Sequence, residues 1–208
     1  MPHTGRYRHV QLDGTGPGGP RARASSCTDF DELLREVKLG RPSAWDRCYR
    51  WLAPAVGGYL RLQGAREVDD LTSEVFLAIF RNIETFTGTE ANFRSWVFVI
   101  AHRRLQDERR RRFRKPPPDP IADFDEPADP GGDVEQAALR TLATERVTQV
   151  CGWLAPDQRE VLLLRILGDL TVDQVAEVLG KSPGAVKQLQ RRGFEAVRRL
   201  LEKEGVPL

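Results

Sequence analysis

The 208-residue sequence lacks the features that place a chain in a membrane or outside the cell. It has no run of about 18 apolar residues, which a membrane-spanning helix requires, and no apolar stretch of the kind that opens a secretory signal. It has only three cysteines, Cys27, Cys48 and Cys151, widely spaced and without a CxxC pair. The pattern predicts reduced thiols, some of them buried, and no zinc site. We therefore expect a cytoplasmic protein without membrane insertion.

The sequence is also poor in groups for catalysis. Its three histidines stand apart from any nucleophile and from any set of metal ligands. Asp69, Asp70 and Glu74 are close together, but a single short acidic cluster without a second ligand set is weak evidence for a metal site. We expect no cofactor, no metal and no enzymatic activity.

The net charge of +2 hides a strong segregation of charge. Nine basic residues face two acids in 94–115, and six basic residues face one acid in 181–199. Between these blocks, 116–133 holds six acids, six prolines and no basic residue. Two basic blocks separated by an acidic spacer indicate a nucleic-acid-binding protein better than the total charge does.

The hydrophobic spacing predicts an all-α protein, because apolar residues recur at helical intervals and no segment alternates as a strand does. Residues 1–26 are rich in Gly, Pro and Arg and predict a disordered arm. Two small helical domains are expected at 27–115 and 134–208. The acidic, proline-rich segment 116–133 is the predicted flexible linker between them.

Four helices are expected in the first domain. The first starts at Asp29, the second near Ser43 as its N-cap, and the third near Asp69. The apolar residues of the third helix, Phe80 among them, are expected to face the core. Pro54 is expected to kink or divide the second helix. The fourth runs into the arginines of 109–112.

A helix-turn-helix is predicted near the C-terminus. Thr171 can cap a short helix, and Gly180 stands where that helix needs a left-handed stop. Ser182 can cap the next helix with Pro183 at its first position, and Val186 can anchor this helix on the first.

The second helix of this motif carries side chains suited to the major groove, because Arg can read guanine and Gln can read adenine. These residues are Lys187, Gln188, Arg191 and Arg192, and Lys181 with the helix N-terminus can hold a phosphate. The alternative is a solvated basic helix in an ordinary α-hairpin.

The third and fourth helices carry two further patterns. Asp69, Asp70 and Glu74 form an acidic strip, which favourable placement against the helix dipole would also explain. The fourth helix combines aromatic residues with cations, a combination that binds single-stranded DNA. Phe98 falls off its apolar face and is expected to be exposed.

Together these segments resemble the extracytoplasmic-function (ECF) group of the sigma-70 family of RNA polymerase sigma factors. DDLTSEVFLAIF at 69–80 is similar to the family's polymerase-binding helix, and 93–110 to its promoter-melting helix. Segments 154–161 and 170–176 are similar to the start of its C-terminal domain, and 186–193 to its −35 recognition helix.

The resemblance implies sigma region 2 at 27–115 and sigma region 4 at 134–208, binding the β′ clamp helices and β flap of core RNA polymerase and promoter DNA. The residues implied in polymerase binding are Asp69, Asp70, Ser73 and Glu74. Those implied at the −10 element are Phe98, His102, Arg103, Arg104, Arg109 and Arg110. Those implied at the −35 element are Lys181, Lys187, Gln188, Arg191 and Arg192.

The resemblance also implies a monomer when free, control by an anti-sigma factor, and a linker that threads the RNA channel of the polymerase. Two positions depart from the family pattern: Arg103 stands where Asn is common, and Ser73 where Gln is common. The rival interpretations are an ordinary dimeric helix-turn-helix regulator and, more remotely, a nuclease or other nucleic-acid enzyme.

Overall fold

The computed structural model describes residues 27–114 and 145–203, and every regular element in these two ranges is helical. The all-α prediction is therefore confirmed. The arm predicted at 1–26 and the linker predicted at 116–133 lie outside the described residues, as do 134–144 and 204–208.

The N-terminal unit is a bundle in which α2, α3 and α4 pack on one another and α1 lies on α2. Leu52, Val56 and Leu60 follow at four-residue spacing along α2, and all three are fully buried. This apolar stripe is what holds the helix to its neighbours. The elements are α1 (Cys27–Lys38), α2 (Pro42–Leu62), α3 (Val68–Asn82), a 3₁₀ turn (Ile83–Thr85) and α4 (Glu90–Arg114).

The start of α2 differs from the sequence prediction. The helix begins at Pro42 with Arg41 as its N-cap, so the expectation that Ser43 caps it is wrong. Proline suits the first helical turn because its missing N–H has no partner there in any case. Pro54 does not divide α2 either, since the helix runs on through it to Leu62.

Aromatic rings close the bundle where the loop before α4 meets α1 and α2. The rings of Trp51 and Phe93 stack with centroids 6.1 Å apart, and those of Phe86 and Trp96 stack at 5.2 Å. Phe30 adds a ring from α1, 5.7 Å from Phe93. The cluster fixes the first turn of α4, from which the candidate DNA-binding side chains follow.

The C-terminal unit packs α6 and α7 against α8. Gly193 is buried in α8, and a β-carbon at this position would lie 2.9 Å from Leu162 Cδ1 on α6. Glycine thus allows the two helices to approach closely. The elements are α5 (145–153), α6 (Pro156–Ile166), α7 (Val172–Leu179) and α8 (Pro183–Lys203).

Cys48 and Cys151 are both free and buried, as the sequence predicts for some of the thiols. Burial raises the pKa of the Cys48 thiol to about 11, so at neutral pH it is a protonated core side chain. Burial also raises the pKa of Cys151.

Candidate nucleic-acid interface

The first helix of the helix-turn-helix is capped at both ends as predicted. The backbone N–H of Gln174 donates to Thr171 Oγ1 at 3.2 Å, and the N–H of Thr171 donates to Gln174 Oε1 at 2.8 Å. This reciprocal pair is a capping box. Gly180 ends α7 with φ of 62°, and the next N–H, of Lys181, donates to Ala176 O at 2.9 Å. Only glycine adopts this left-handed turn without strain.

The second helix of the motif, α8, also starts as predicted. The N–H of Ala185 donates to Ser182 Oγ at 3.2 Å, and Pro183 is the first helical residue. Val186 is fully buried between the two helices. These contacts confirm the helix-turn-helix and fix which side of α8 faces outward.

That outward side carries the predicted −35 residues. Arg191 is 72% exposed, with its Nε 3.8 Å from the carboxylate of Glu195. Lys181 instead pairs with Asp157 of α6, Nζ to Oδ2, at 3.1 Å. The exposed residues of the predicted set are Lys187, Gln188, Arg191 and Arg192.

An exposed stripe on α3 carries most of the predicted polymerase-binding residues. Asp70, Ser73 and Glu74 are followed at helical spacing by Leu77 and Phe80, and these five residues define the α3 stripe. Asp69 is also exposed, beside the stripe.

Leu77 and Phe80 were not recognised as surface residues from the sequence. The expectation that Phe80 faces the core is wrong, since it is 57% exposed, and Leu77 is 52% exposed. One side of the Phe80 ring lies against Trp45 of α2, with centroids 5.1 Å apart. The helical spacing from Asp70 to Leu77 and Phe80 was the signal that would have found them.

Arginines line a groove between α3 and the second half of α4. Arg104 Nη1 lies 3.7 Å from Glu74 Oε2 and so joins this groove to the α3 stripe. Three of these arginines were not predicted for this surface from the sequence: Arg81, Arg111 and Arg114. The residues that line the groove are Glu74, Leu77, Arg81, Arg104, Asp107, Arg110, Arg111 and Arg114.

The prediction that Phe98 is exposed is wrong: its side chain is fully buried. Its ring meets that of Tyr59 edge-on, with centroids 5.7 Å apart. Its other neighbour is the C-terminal unit, because a β-carbon at Gly168 would lie 3.3 Å from Phe98 Cδ2. The burial of Phe98 thus involves both units.

His102 lies in the same contact between the units. Its Nδ1 is 3.0 Å from Oε1 of Glu160 on α6, and the two side chains are only 16% and 13% exposed. The hydroxyl of Tyr59 is 3.2 Å from the same Nδ1 and 3.4 Å from the same carboxylate oxygen. Burial, and then the charge of Glu160, raise the pKa of Tyr59 well above 10.

The remaining predicted −10 residues divide into two groups. Arg103 and Arg110 are exposed on α4. Arg109 is half-buried, and its Nη2 donates to the backbone oxygen of Gln63 at 2.7 Å and lies 3.3 Å from Gln63 Oε1. This contact ties α4 to the end of α2.

Among the helices of 27–114 and 145–203, none is long and apolar enough to cross a membrane. In the same ranges, no group of three or more His, Cys, Asp and Glu side chains could hold a metal ion.

The fold and its exposed basic helix define a helix-turn-helix transcription protein with a second helical unit. Two family models match the chain: Sigma-70 region 2 at residues 44–115 and Sigma-70, region 4 at residues 153–199. The first covers most of α2 together with α3 and α4, and the second covers α6, α7 and most of α8.

Similar proteins narrow this class. The chain is 32% identical to the ECF RNA polymerase sigma factor BldN of Streptomyces coelicolor, over 86% of this chain and 69% of that protein. It is 30% identical to the ECF RNA polymerase sigma factor ShbA of Streptomyces griseus, over 65% of this chain and 72% of that protein. The chain therefore belongs to the ECF group of the sigma-70 family and acts as an RNA polymerase sigma factor.

A solved structure shows a similar fold. CnrH, in complex with the cytosolic domain of CnrY, matches over 83% of this chain and 96% of its own, with a TM-score of 0.57 and 24% identity.

Proposed function

We propose that this sigma factor reads the −35 element with the outer face of α8, binds core polymerase with the α3 stripe and contacts the −10 element with α4. The observation that carries the proposal is the capped helix-turn-helix, in which Val186 is buried while Lys187, Gln188 and Arg191 point outward. In this proposal the sigma factor itself catalyses no reaction.

At the −35 element, the exposed side chains can divide base and backbone contacts. Arg191 can read guanine through two hydrogen bonds, and Gln188 can read adenine in the same way. Lys181, at the N-terminus of α8, is placed to bind a DNA phosphate. It would then leave the carboxylate of Asp157, its present partner, and pair with the phosphate instead.

The α3 stripe fits a partner that presents both cations and apolar side chains. Asp70 and Glu74 supply negative charge at one end, and Leu77 and Phe80 supply exposed apolar surface at the other. A few side chains in well-packed parts of an interface generally contribute most of its affinity. We assign this stripe to the β′ clamp helices, and region 4 to the β flap.

For the −10 element, the exposed arginines of α4 are the first contacts. Arg103 and Arg110 face solvent and can follow a DNA backbone, whereas Arg109 is bound to Gln63 and supports the helix. Phe98 and His102 contact DNA in this proposal only after the two units separate.

Regulation by an anti-sigma factor also fits the α3 stripe. A protein that covers Leu77 and Phe80 would exclude core polymerase by competition for the same apolar surface. We place the free chain in the cytoplasm as a monomer that binds core polymerase before it binds promoter DNA.

Reconstituted transcription tests the function. The purified full chain is mixed with core RNA polymerase of its own bacterium and a library of promoter fragments, and transcript starts are mapped with and without the chain. We expect specific starts that depend on the chain and yield the −35 and −10 sequences together. If the chain forms no complex with the polymerase and starts no transcription, and instead binds an operator tightly as a stable dimer, an ordinary regulator is favoured.

A further inference from the structure

The last turn of α4 presents an aromatic ring to solvent among arginines. Phe113 is 87% exposed, whereas Leu39, the next most exposed large apolar side chain of the described ranges, is 66% exposed. Residues 109–114 consist of five arginines and Phe113. Single exposed apolar residues are common on protein surfaces, so a role for Phe113 has to follow from its position and its neighbours.

Phe113 lies on the same side of α4 as the exposed residues of the proposed −10 surface. Arg103, Arg110 and Phe113 follow one another at spacings that place side chains on one face of a helix. Arg114 joins this face one turn after Arg110. From Arg103 to Phe113 the face is about 15 Å long, which is about four base-pair steps of DNA. Phe113 therefore lies at the end of the face, toward the C-terminus of α4.

The charges around Phe113 suit a phosphate backbone. Arg110 lies 3.5 Å from Asp107, but both side chains are more than half exposed, so water screens the pair and Arg110 can exchange partners. Within residues 27–114 and 145–203, Arg114 forms no ion pair. Cations at the C-terminal end of a helix are stabilised by its dipole, which explains the arginines. The dipole does not explain an exposed aromatic ring.

An aromatic ring beside cations binds single-stranded nucleic acid, because a base stacks on the ring while the cations pair with the phosphates. A base inside a duplex already stacks on a neighbour on each side. Phe113 can therefore take only a base with one face uncovered, and such a base lies at the end of a strand-separated segment.

The order of the chain indicates which end of the separated segment this is. In the proposed function, α8 reads the −35 element, and α8 follows α4 in the chain. The −35 element lies upstream of the −10 element. The C-terminal end of α4, where Phe113 lies, is thus directed to the upstream edge of the −10 element.

We propose that Phe113 stacks on the unpaired base at the upstream edge of the −10 element, while Arg110 and Arg114 pair with the adjacent phosphates. The inference rests on the proposed function of α4 in −10 binding. On melting, this base loses the stacking of its neighbour in the duplex, and the Phe113 ring replaces that neighbour. The stack therefore favours open over closed promoter DNA.

Three substitutions separate stacking from the other properties of the ring. Phe113→Ala removes the ring, Phe113→Leu keeps an apolar side chain that cannot stack, and Phe113→Trp restores an aromatic ring. Leu39→Ala is the matched control, since it removes another highly exposed apolar side chain of the same unit. Because Phe113 is exposed, all four variants should keep their helix content and their affinity for core RNA polymerase. Far-UV circular dichroism and a polymerase titration check both.

The experiment titrates the full chain, bound to core RNA polymerase, with fork DNA that is duplex upstream of the −10 element and single-stranded across it. Forks with either strand extended are used. We expect Phe113→Ala and Phe113→Leu to bind the fork about 5-fold more weakly than wild type, or worse, and Phe113→Trp and Leu39→Ala to match wild type.

Replacement of single bases by an abasic sugar locates the contact. An abasic sugar at the upstream edge should weaken binding of wild type by the same factor as Phe113→Ala does. It should weaken binding of Phe113→Ala no further, because the stack is already absent in that variant.

Full affinity in Phe113→Ala or Phe113→Leu, a loss that Phe113→Trp does not restore, or coupling to a base elsewhere in the −10 element would overturn the inference. Failure of wild type to support promoter-dependent transcription would instead refute the proposed function. The two failures are distinguishable, since wild-type transcription does not depend on the outcome with the Phe113 variants.

Discussion

Arg104 of α4 and Glu74 of α3 form an ion pair, with 3.7 Å between Nη1 and Oε2. One belongs to the proposed −10 surface and the other to the proposed polymerase surface, so the two surfaces meet at this pair. Both side chains are more than a third exposed, at 35% and 39%, so water screens the pair and it contributes about 0–1 kcal/mol to stability. Leu77, further along the α3 stripe, is therefore a cleaner probe of polymerase binding than Glu74.

We expect Leu77→Ala to weaken binding to core polymerase by about 1–2 kcal/mol, because it removes exposed apolar surface from the apolar end of the α3 stripe. A titration of labelled protein with core polymerase measures the loss. Leu39→Ala is the control, since Leu39 is 66% exposed in the turn after α1. Equal losses in the two variants would count against the stripe as the binding surface.

Arg191 and Arg198 form a matched pair on α8 for testing −35 recognition. Their side chains are 72% and 71% exposed, and each pairs with a glutamate four residues later. We expect Arg191→Ala to cost about 1–3 kcal/mol on promoters with an intact −35 element, because it removes a base contact. Arg198→Ala should cost much less.

Promoter-dependent transcription over a range of protein concentrations measures both arginine variants. The same assay is repeated on promoters with a substituted −35 element. If Arg191→Ala causes the same loss on both promoters, Arg191 contacts phosphate and does not read a base.

Thr171→Ala should lower the free energy of unfolding by about 0.5–2 kcal/mol, because it removes the side-chain acceptor of the capping box. Urea denaturation followed by circular dichroism measures the change. Thr87→Ala, at an exposed loop position before α4, should leave the midpoint close to that of wild type. A Thr171 variant as stable as the Thr87 variant would argue that the cap adds little.

The raised pKa of the Cys48 thiol predicts a loss of stability at alkaline pH. Its pKa in the folded protein is about 11, above the ordinary value of 9.0, so the folded state keeps a proton that the unfolded state releases. The stabilisation is complete below pH 9 and is lost as the pH rises through 11, by about 3 kcal/mol in total.

Urea denaturation in reducing buffer between pH 8 and 11 checks this behaviour. Cys48→Ala is less stable than wild type at pH 8 because of the cavity it leaves, but the gap should narrow towards pH 11. Tyr59, whose pKa is also raised, is present in both proteins and cancels in the comparison. A gap that stays constant with pH would contradict the prediction.

The helix-turn-helix could be predicted residue by residue because its signals are local. Thr171 is three residues from its partner Gln174, and Gly180 needs only its own backbone angle to stop α7. Short-range hydrogen bonds of this kind depend only on a few consecutive residues. The exposed basic face of α8 could be predicted in the same way, because the start of the helix at Pro183 fixes which residues share a face.

The errors concern residues whose surroundings come from distant parts of the chain. Phe98 is buried against Gly168, which is 70 positions further along the sequence, and no helical periodicity reports such a partner. Arg109 is held by Gln63 in the same way. Phe80 was misplaced for the opposite reason: a large apolar residue is usually buried, and here the bundle leaves one side of it uncovered.

The close approach at Gly193 has a mechanical consequence for the proposed −35 surface of α8. Lys187 lies six residues from this point, about 9 Å along the helix axis, so a tilt of about 10° at Gly193 would move its backbone by about 1.5 Å. A tilt of α8 about its contact at Gly193 would therefore displace the proposed −35 residues. A change in the size of Leu162, which is buried beneath Gly193, is therefore expected to shift the proposed −35 surface without altering any of its side chains.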